Sequence, residues 1–268
     1  MKKIYLAALT LAMTACVSND DLNPVDNYGY IDVNVSNDPV MVTRAEQPVS
    51  DLSGWSITAT NTDDQKLTYD LKESNVVPAG IYKIEVFSHS SMEAANEAGE
   101  GKLGAPYYTC ETSVEGSSYN GQTDVNKHVT VIAGRTSTPT IYCGSAKNTR
   151  IKLDNQLNQG LSENKFSDVS LNADAVDQRP AVTLFHGNTA YYNPETTINY
   201  SISYKYGGSS KEITDLQIQT GVAATEKIIT LISNSSGQIT VTISVNDQFE
   251  SSVENLTFDA ATGIQVTN

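Results

Sequence analysis

The sequence predicts an all-β protein with two tandem antiparallel β-sandwich domains. Short segments that alternate apolar and polar residues recur from residue 28 onward, and clusters of Gly, Pro, Asn and Ser separate them. No stretch longer than about ten residues has the periodicity of an amphipathic helix. Short strands with turn signals between them are typical of sandwiches. The predicted domains cover residues 28–148 and 149–268.

Residues 1–15 are predicted to be a lipoprotein signal peptide. Two lysines precede the apolar run Ile4 to Met13, which is too short to span a bilayer, and small residues then lead into Cys16. We expect cleavage before Cys16 and lipidation of its side chain. Because Met13 is an imperfect residue for this motif, a plain secretory signal stays open as the alternative.

Residues 16–27 are polar, lack periodicity and are predicted to be a flexible tether. The first strand is predicted at Tyr28 to Val35, with Tyr30, Val33 and Val35 as core candidates. A later segment, Ile81 to Phe87, alternates more regularly. Its second, fourth and sixth residues are all apolar and define its core face.

Two further features of the chain are predicted from composition. Ser88 to Pro106 interrupts the series of strands as a long connection with one helical turn near Met92 to Ala98, and either a functional loop or a mobile surface segment fits it. In the second domain the final strand is predicted at Gly263 to Thr267. This strand either closes that sandwich or pairs with a partner.

The sequence leaves open whether Cys110 and Cys143 form a disulfide. After Cys16 the chain contains only Cys110 and Cys143, both within strand-like segments. An exported protein meets an oxidising compartment, so a disulfide between them is one interpretation. Buried free thiols are the other, because sequence alone does not bring the two Cα atoms within bridging distance.

The charge and the polar residues exclude several classes of function. The net charge is −14, which disfavours nucleic acids and anionic lipid, so membrane contact is expected through the lipid alone. His89 lies beside two serines but has no recognisable catalytic setting. Asp168, Asp174 and Asp177 do not match a calcium-loop spacing. We therefore expect no catalytic residues, no metal and no cofactor, and predict that the protein is not an enzyme.

Three segments carry a family resemblance: VPAGIYKIEVF at Val77–Phe87, APYY at Ala105–Tyr108 and IAGRTSTPTIYC at Ile132–Cys143. They resemble a family of Bacteroidetes surface lipoproteins that is similar to the fimbrillin precursors of the type V pilus. The resemblance implies transthyretin-like sandwiches, a location on the outer membrane facing the cell surface, and pilin-like protein partners. In such lipoproteins an acidic run like Val17–Asp21 resembles an export signal, although a solvated tether explains it equally well.

The same resemblance gives Arg44 a possible role. In fimbrillin precursors a trypsin-like protease cuts after an arginine that follows the first strand, and a neighbouring subunit's strand fills the groove that is left. Arg44 lies in a matching VTRA segment. The alternative is an uncut arginine near a sheet edge, where basic residues block unwanted pairing.

Glycan binding is the alternative function. Tyrosine rings stack on sugar faces, and the adjacent pairs Tyr107–Tyr108 and Tyr191–Tyr192 are candidate contacts for a host or polysaccharide ligand. Neighbouring residues of a strand point to opposite faces, so one tyrosine of each pair is expected to be exposed.

Overall fold

A computed structural model describes residues 27–37, 47–48, 52–63, 67–119, 121–159, 161, 163, 165–246 and 253–266. The signal peptide, Cys16, most of the tether and Arg44 lie outside the described residues. The described chain is nearly all strand and turn, with a short helix α1 (Met92–Asn96) and a 3₁₀ turn at Glu100–Lys102. Within the described ranges no helix is both long enough and apolar enough to cross a membrane. The predicted all-β class is confirmed.

The strands of the N-terminal half are short. They are β1 (Tyr28–Ile31), β2 (Asn34–Asn37), β3 (Gln47–Pro48), β4 (Ser56–Asn61), β5 (Thr68–Asp70), β6 (Val76–Pro78), β7 (Gly80–Phe87), β8 (Thr109–Glu111), β9 (Ser117–Tyr119), β10 (Gln122–Val125), β11 (Val129–Val131), β12 (Thr136–Ser137) and β13 (Thr140–Gly144).

These strands form a five-stranded sheet in the order β11-β7-β4-β5, with β8 also paired to β7, and two three-stranded sheets, β12-β1-β6 and β13-β2-β3. Strands β9 and β10 make a separate hairpin. Side chains from the five-stranded sheet and from both smaller sheets share one core. Its buried members are Ile31, Val35, Ile57, Ala59, Val77, Tyr82, Ile84, Val86, Tyr108, Val129, Val131, Ile141, Cys143 and Ala146.

Strand β7 shows how the sequence pattern produces this core. Tyr82, Ile84 and Val86 are fully buried, whereas the residues between them reach solvent at least in part. The Tyr82 hydroxyl donates a hydrogen bond of 2.8 Å to the Pro78 carbonyl oxygen, which satisfies the polar end of a buried ring. The predicted core face of this strand is confirmed.

The predicted core face of the first strand was wrong at one position. Tyr30 is 37% exposed, and Ile31 rather than Tyr30 is buried beside Val35. The buried face runs through Gly29, Ile31, Val33 and Val35 in steps of two, with Val33 only half-buried. Gly29 faces inward because the strand passes very close to the backbone that follows β11, which turns Tyr30 outward.

The C-terminal half contains longer strands. They are β14 (Thr149–Gln156), β15 (Phe166–Ala173), β16 (Val182–Leu184), β17 (Thr189–Tyr192), β18 (Thr197–Tyr206), β19 (Ser209–Gln219), β20 (Glu226–Ser233), β21 (Gln238–Asn246) and β22 (Val253–Asp259). They form a five-stranded sheet, β17-β14-β20-β21-β22, and a four-stranded sheet, β16-β15-β18-β19. Both sheets contribute to a second core, whose buried residues lie between Ile151 and Ala260.

The end of the chain differs from its prediction. The last full strand is β22, which is hydrogen-bonded to β21, and only an isolated bridge between Phe258 and Gln265 involves the predicted strand at 263–267. Residues 264–266 instead fold back along β22, with backbone hydrogen bonds of 2.9 Å from Asp259 N–H to Ile264 O and 2.8 Å from Val266 N–H to Thr257 O. Sequence analysis missed β22, because polar residues separate the few apolar residues of its VENLTFD segment.

Candidate functional site

The first strand lies between two segments that are distant in sequence. On one side β1 and β2 run parallel to β12 and β13. Backbone N–H groups of Tyr30, Asp32 and Asn34 donate 2.9 Å hydrogen bonds to carbonyl oxygens of residues 135, 137 and 139. On the other side β1 runs antiparallel to β6 and β2 runs antiparallel to β3. Residues 28–37 therefore form an inserted central strand, which we call the first strand.

The side chains of the first strand complete the N-terminal core. Ile31 and Val35 are 1% and 3% exposed, and the cluster they join includes Val77 from β6 and Ile141 from β13. Each buried aliphatic side chain of this size stabilises the fold by about 1.5–3 kcal/mol. Without the first strand its neighbours would lose both a hydrogen-bonding partner and part of their apolar cover.

Cys110 and Cys143 form a disulfide, with their Cα atoms 4.8 Å apart. Cys110 belongs to β8, which pairs with β7 in the five-stranded sheet, whereas Cys143 belongs to β13, which pairs with β2. The bond therefore joins one sheet of the N-terminal half to the other. It also ties the parallel neighbour of the first strand to the sheet across the core.

The candidate tyrosines divide within each pair. Tyr108 and Tyr192 are 4% and 1% exposed, so neither ring face is available to a ligand, and both leave the set of candidate contacts. Tyr108 stacks on Trp55 with ring centroids 5.8 Å apart. Tyr107 and Tyr191 are half-buried, and burial raises the pKa of Tyr107. Of the four candidate tyrosines, only the half-buried Tyr107 and Tyr191 are left as glycan contacts.

The connection 88–106 docks against the C-terminal half. Arg179 from that half is 5% exposed and its guanidinium Nη1 donates hydrogen bonds of 2.6 Å to Asn96 O and 3.1 Å to Lys102 O. The guanidinium carbon also lies 4.4 Å from the centroid of the Tyr192 ring. Burial lowers the pKa of Arg179 and raises the pKa of the Tyr192 hydroxyl. The long connection is thus an ordered bridge between the two halves.

Three asparagines extend this bridge into a buried polar network. The Asn148 side-chain N–H donates 2.9 Å hydrogen bonds to Asn96 Oδ1 and Ala105 O, and Asn148 Oδ1 accepts one from Tyr107 N–H. Asn96 in turn donates to Asn193 Oδ1 at 2.8 Å. We call Asn96, Asn148, Arg179 and Asn193 the junction network. Because its members are held by several bonds each, it fixes the register between the two halves.

Most residues considered for catalysis or metal binding make local hydrogen bonds or ion pairs. Ser88 is buried, and its Oγ accepts a hydrogen bond from Tyr108 N–H while lying 3.1 Å from His89 Nδ1. Asp168 pairs with Lys205 at 2.6 Å, and Asp177 accepts a hydrogen bond from Thr196. In the described part of the chain, no group of three or more His, Cys, Asp or Glu side chains is placed to hold a metal ion.

Sequence reasoning missed Arg179 and Asn148 of the junction network, and it missed the inward position of Gly29 in the first strand. Arg179 stands before a proline in a turn-like stretch, and Asn148 stands at the predicted domain boundary. Neither belongs to a periodic pattern, so only the three-dimensional contacts reveal them. Gly29 had one visible signal, since a glycine inside a strand marks a bulge or a close backbone approach.

Comparison with known proteins adds little to this geometry. No protein-family model matches the sequence, and no curated protein matches it. Solved structures with some similarity include candidate cell adhesion proteins from Bacteroides ovatus and Bacteroides fragilis. The first has a TM-score of 0.39 at 10% identity over 85% of this chain and 96% of that chain. The second has a TM-score of 0.41 at 8% identity over 85% and 97%.

A third similar structure is the C-terminal fragment of the pilus adhesin SpaC from Lactobacillus rhamnosus GG. Its TM-score is 0.28 at 11% identity, over 77% of this chain and 96% of that chain. At such TM-scores and identities these similarities carry no argument about this chain. The functional argument therefore rests on the first strand and its surroundings.

Proposed function

We propose that this chain is a lipid-anchored, non-catalytic surface protein that acts in adhesion or pilus assembly through strand addition. In this proposal two tandem β-sandwich domains, 28–148 and 149–268, follow a signal peptide and a tether that begins at the lipidated Cys16. The two separate groups of buried residues support the division into domains. The observation that carries the functional proposal is the central position of the first strand.

The sequence offers one place where a trypsin-like protease would release that strand. Arg44 is the only Lys or Arg between Lys3 and Lys66, and it lies between the end of β2 at Asn37 and the start of β3 at Gln47. A cut there separates the first strand covalently from everything that follows. The strand would then be held by hydrogen bonds and apolar contacts alone.

Loss of the first strand would strongly favour binding of another strand in its place. The groove would expose apolar core and two rows of unpaired backbone groups, which are costly in water and favour pairing with another strand. A pilin-like subunit supplies such a strand in this proposal. The acidic chain would contact the outer membrane through its acyl chains, with nucleic acid excluded as a partner.

The test is the amino terminus of the protein extracted from the cell surface. We expect a population that starts at Ala45 in the wild type and its loss in an Arg44→Ala variant. Arg135→Ala is the matched control, since Arg135 is an exposed arginine of the same half, and it should leave the cut unchanged. Wild-type material that begins entirely at a lipidated Cys16 would contradict the assembly mechanism.

The alternative, a permanent glycan-binding anchor, predicts a different result. Saturable binding on a glycan array that is lost in Tyr107→Ala or Tyr191→Ala, together with an uncut chain, would favour it. The burial of Tyr108 and Tyr192 is the observation against it.

A further inference from the structure

A small cavity lies beside the junction network, between the connection 88–106 and the C-terminal half. Its volume is about 10 Å³ for the centre of a water molecule, which leaves room for one water and little else. Residues of both halves line it. They include Glu93, Asn96 and Glu97 from the connection, and Asp177, Arg179 and Tyr192 from the C-terminal half.

Two polar atoms of residues that line this cavity are buried without a hydrogen-bond partner among the described residues. They are Arg179 Nε and the hydroxyl oxygen of Tyr192, and these residues are only 5% and 1% exposed. The other two nitrogens of the guanidinium are satisfied, because they donate to the carbonyl oxygens of Asn96 and Lys102. A buried polar group with no partner destabilises a fold, so the two atoms indicate that the cavity has an occupant.

The chemistry of these two atoms restricts the occupant. Arg179 Nε–H can only donate a hydrogen bond, whereas the Tyr192 hydroxyl can donate or accept one. The guanidinium carbon lies 4.4 Å from the centroid of the Tyr192 ring, so the two side chains pack together against the cavity. The occupant must therefore offer a lone pair to Nε–H and a second hydrogen bond to the hydroxyl.

The charges around the cavity disfavour an ion. An anion would meet three carboxylates in the wall, those of Glu93, Glu97 and Asp177. A cation would meet the buried guanidinium of Arg179, and across the described ranges no three His, Cys, Asp or Glu side chains are grouped to hold a metal. A neutral group that both accepts and donates hydrogen bonds fits the wall, and the volume limits it to the size of one water.

We infer that the cavity binds a single water molecule, the junction water, which accepts a hydrogen bond from Arg179 Nε–H and bonds to the Tyr192 hydroxyl. Buried waters typically make about three hydrogen bonds. The half-buried carboxylate of Glu97 is an acceptor for the third. The water thus links the C-terminal half to the connection. The inference does not rest on the proposed function, because the cavity is formed whether or not the first strand leaves.

The first test is a high-resolution crystal structure of the full chain. We expect one water about 2.7–3.2 Å from both Arg179 Nε and the Tyr192 hydroxyl oxygen. In a Tyr192→Phe variant this water should lose occupancy or shift, because one of its partners is gone. Density for an anion or a metal ion at this position, or density with no water there, would overturn the inference.

The second test compares thermal unfolding of Tyr192→Phe and Tyr204→Phe. The Tyr204 hydroxyl donates a 3.0 Å hydrogen bond to Ala260 O, so Tyr204→Phe is the matched control for losing a buried hydrogen bond. Both variants should lower the unfolding midpoint, by about 2–4 °C. Removing a hydroxyl that has no partner would instead leave the midpoint unchanged or raise it.

A Tyr192→Phe midpoint at or above that of the wild type, with a lowered midpoint in Tyr204→Phe, would therefore overturn the inference. If Tyr192→Phe fails to fold, or if Tyr204→Phe leaves the midpoint unchanged, the density in the wild-type crystal structure decides the question alone.

Discussion

At the scale of single residues, Arg179 does the most to join the two halves. Its guanidinium is buried, donates to the carbonyl oxygens of Asn96 and Lys102, and lies on the ring of Tyr192. We predict that Arg179→Ala lowers the free energy of unfolding by about 3 kcal/mol, because buried carbonyl oxygens lose charged donors. Chemical denaturation measures the change.

Two further variants test whether the loss of stability is specific to the guanidinium of Arg179. Arg179→Lys should recover only part of the loss, since an ammonium group lacks the planar fork that reaches several acceptors. The exposed Arg135→Ala should change stability by no more than about 0.5 kcal/mol. Equal effects of Arg179→Ala and Arg135→Ala would show that the junction network adds nothing to stability.

A second prediction at this scale concerns pH. Burial lowers the pKa of His89, so the folded state favours the neutral ring. In the unfolded chain a histidine has a pKa of about 6.5 and therefore binds its proton first as the pH falls. Stability is then fully present above about pH 6.5 and decreases as the pH falls below that value, until the folded state is also protonated.

His89→Asn should reduce the loss of stability between about pH 7 and pH 5. Thermal unfolding across that range gives the measurement, with His128→Asn as the matched control for removing a histidine. An identical pH profile for wild type and His89→Asn would contradict the prediction.

At the scale of elements, the disulfide holds β13 in place against the opposite sheet. It joins residues 33 positions apart and connects β8 to β13 across the core. Asn126 adds a second support, since its side chain exchanges two 2.8 Å hydrogen bonds with the backbone of Tyr142 on β13. We predict that Cys110→Ser/Cys143→Ser destabilises the uncut chain by about 3 kcal/mol.

The effect of the double cysteine variant should be larger after the first strand is cut away. Strand β13 then loses its hydrogen-bonded neighbour β2 and depends on the disulfide and Asn126. Denaturation of the cut and uncut forms measures the difference. A reducing agent supplies the control, because it should destabilise the wild type and leave the double variant unchanged. The same loss in both forms would argue against a role for the disulfide in supporting the open groove.

The elements also show which features a sequence can predict. Alternation predicted β7 and its core face because Tyr82, Ile84 and Val86 bury one face of a regular strand. It misplaced Tyr30, because the inward residue next to it is a glycine that no hydrophobic pattern detects. It missed β17 as a strand at Thr189–Tyr192. The junction network lies outside the strands, where hydrogen bonds between distant residues set the structure.

At the scale of the whole molecule, the junction network gives the proposed assembly a defined shape. The first strand belongs to the N-terminal half, and the connection 88–106 of that half is bonded to the C-terminal half through Arg179 and Asn193. A strand inserted into one half would therefore transmit its orientation to the other. A pulling force between neighbouring copies would act on two halves held in one orientation rather than on two halves joined by a free hinge.

The location of the lipid relative to Arg44 leads to the last prediction. In the proposed function Cys16 carries the acyl chains and Arg44 follows it, so a cut assigns the lipid to the fragment that contains the first strand. Cys16→Ser should abolish palmitate labelling and membrane partitioning of the whole chain. Arg44→Ala should instead keep the label on a full-length chain.

In the wild type, labelled palmitate should follow the short amino-terminal fragment once denaturant separates it from residues 45–268. Without denaturant the two pieces should sediment with membranes together, because Ile31 and Val35 still bury their side chains in the N-terminal core. This pattern distinguishes a strand that is cut but still bound from one that has been replaced. If residues 45–268 leave the membrane without denaturant, the first strand has left the groove, as its replacement by another strand requires. If labelled palmitate stays on a full-length chain in every condition, the lipid is a permanent anchor. That result would contradict a cut after Arg44.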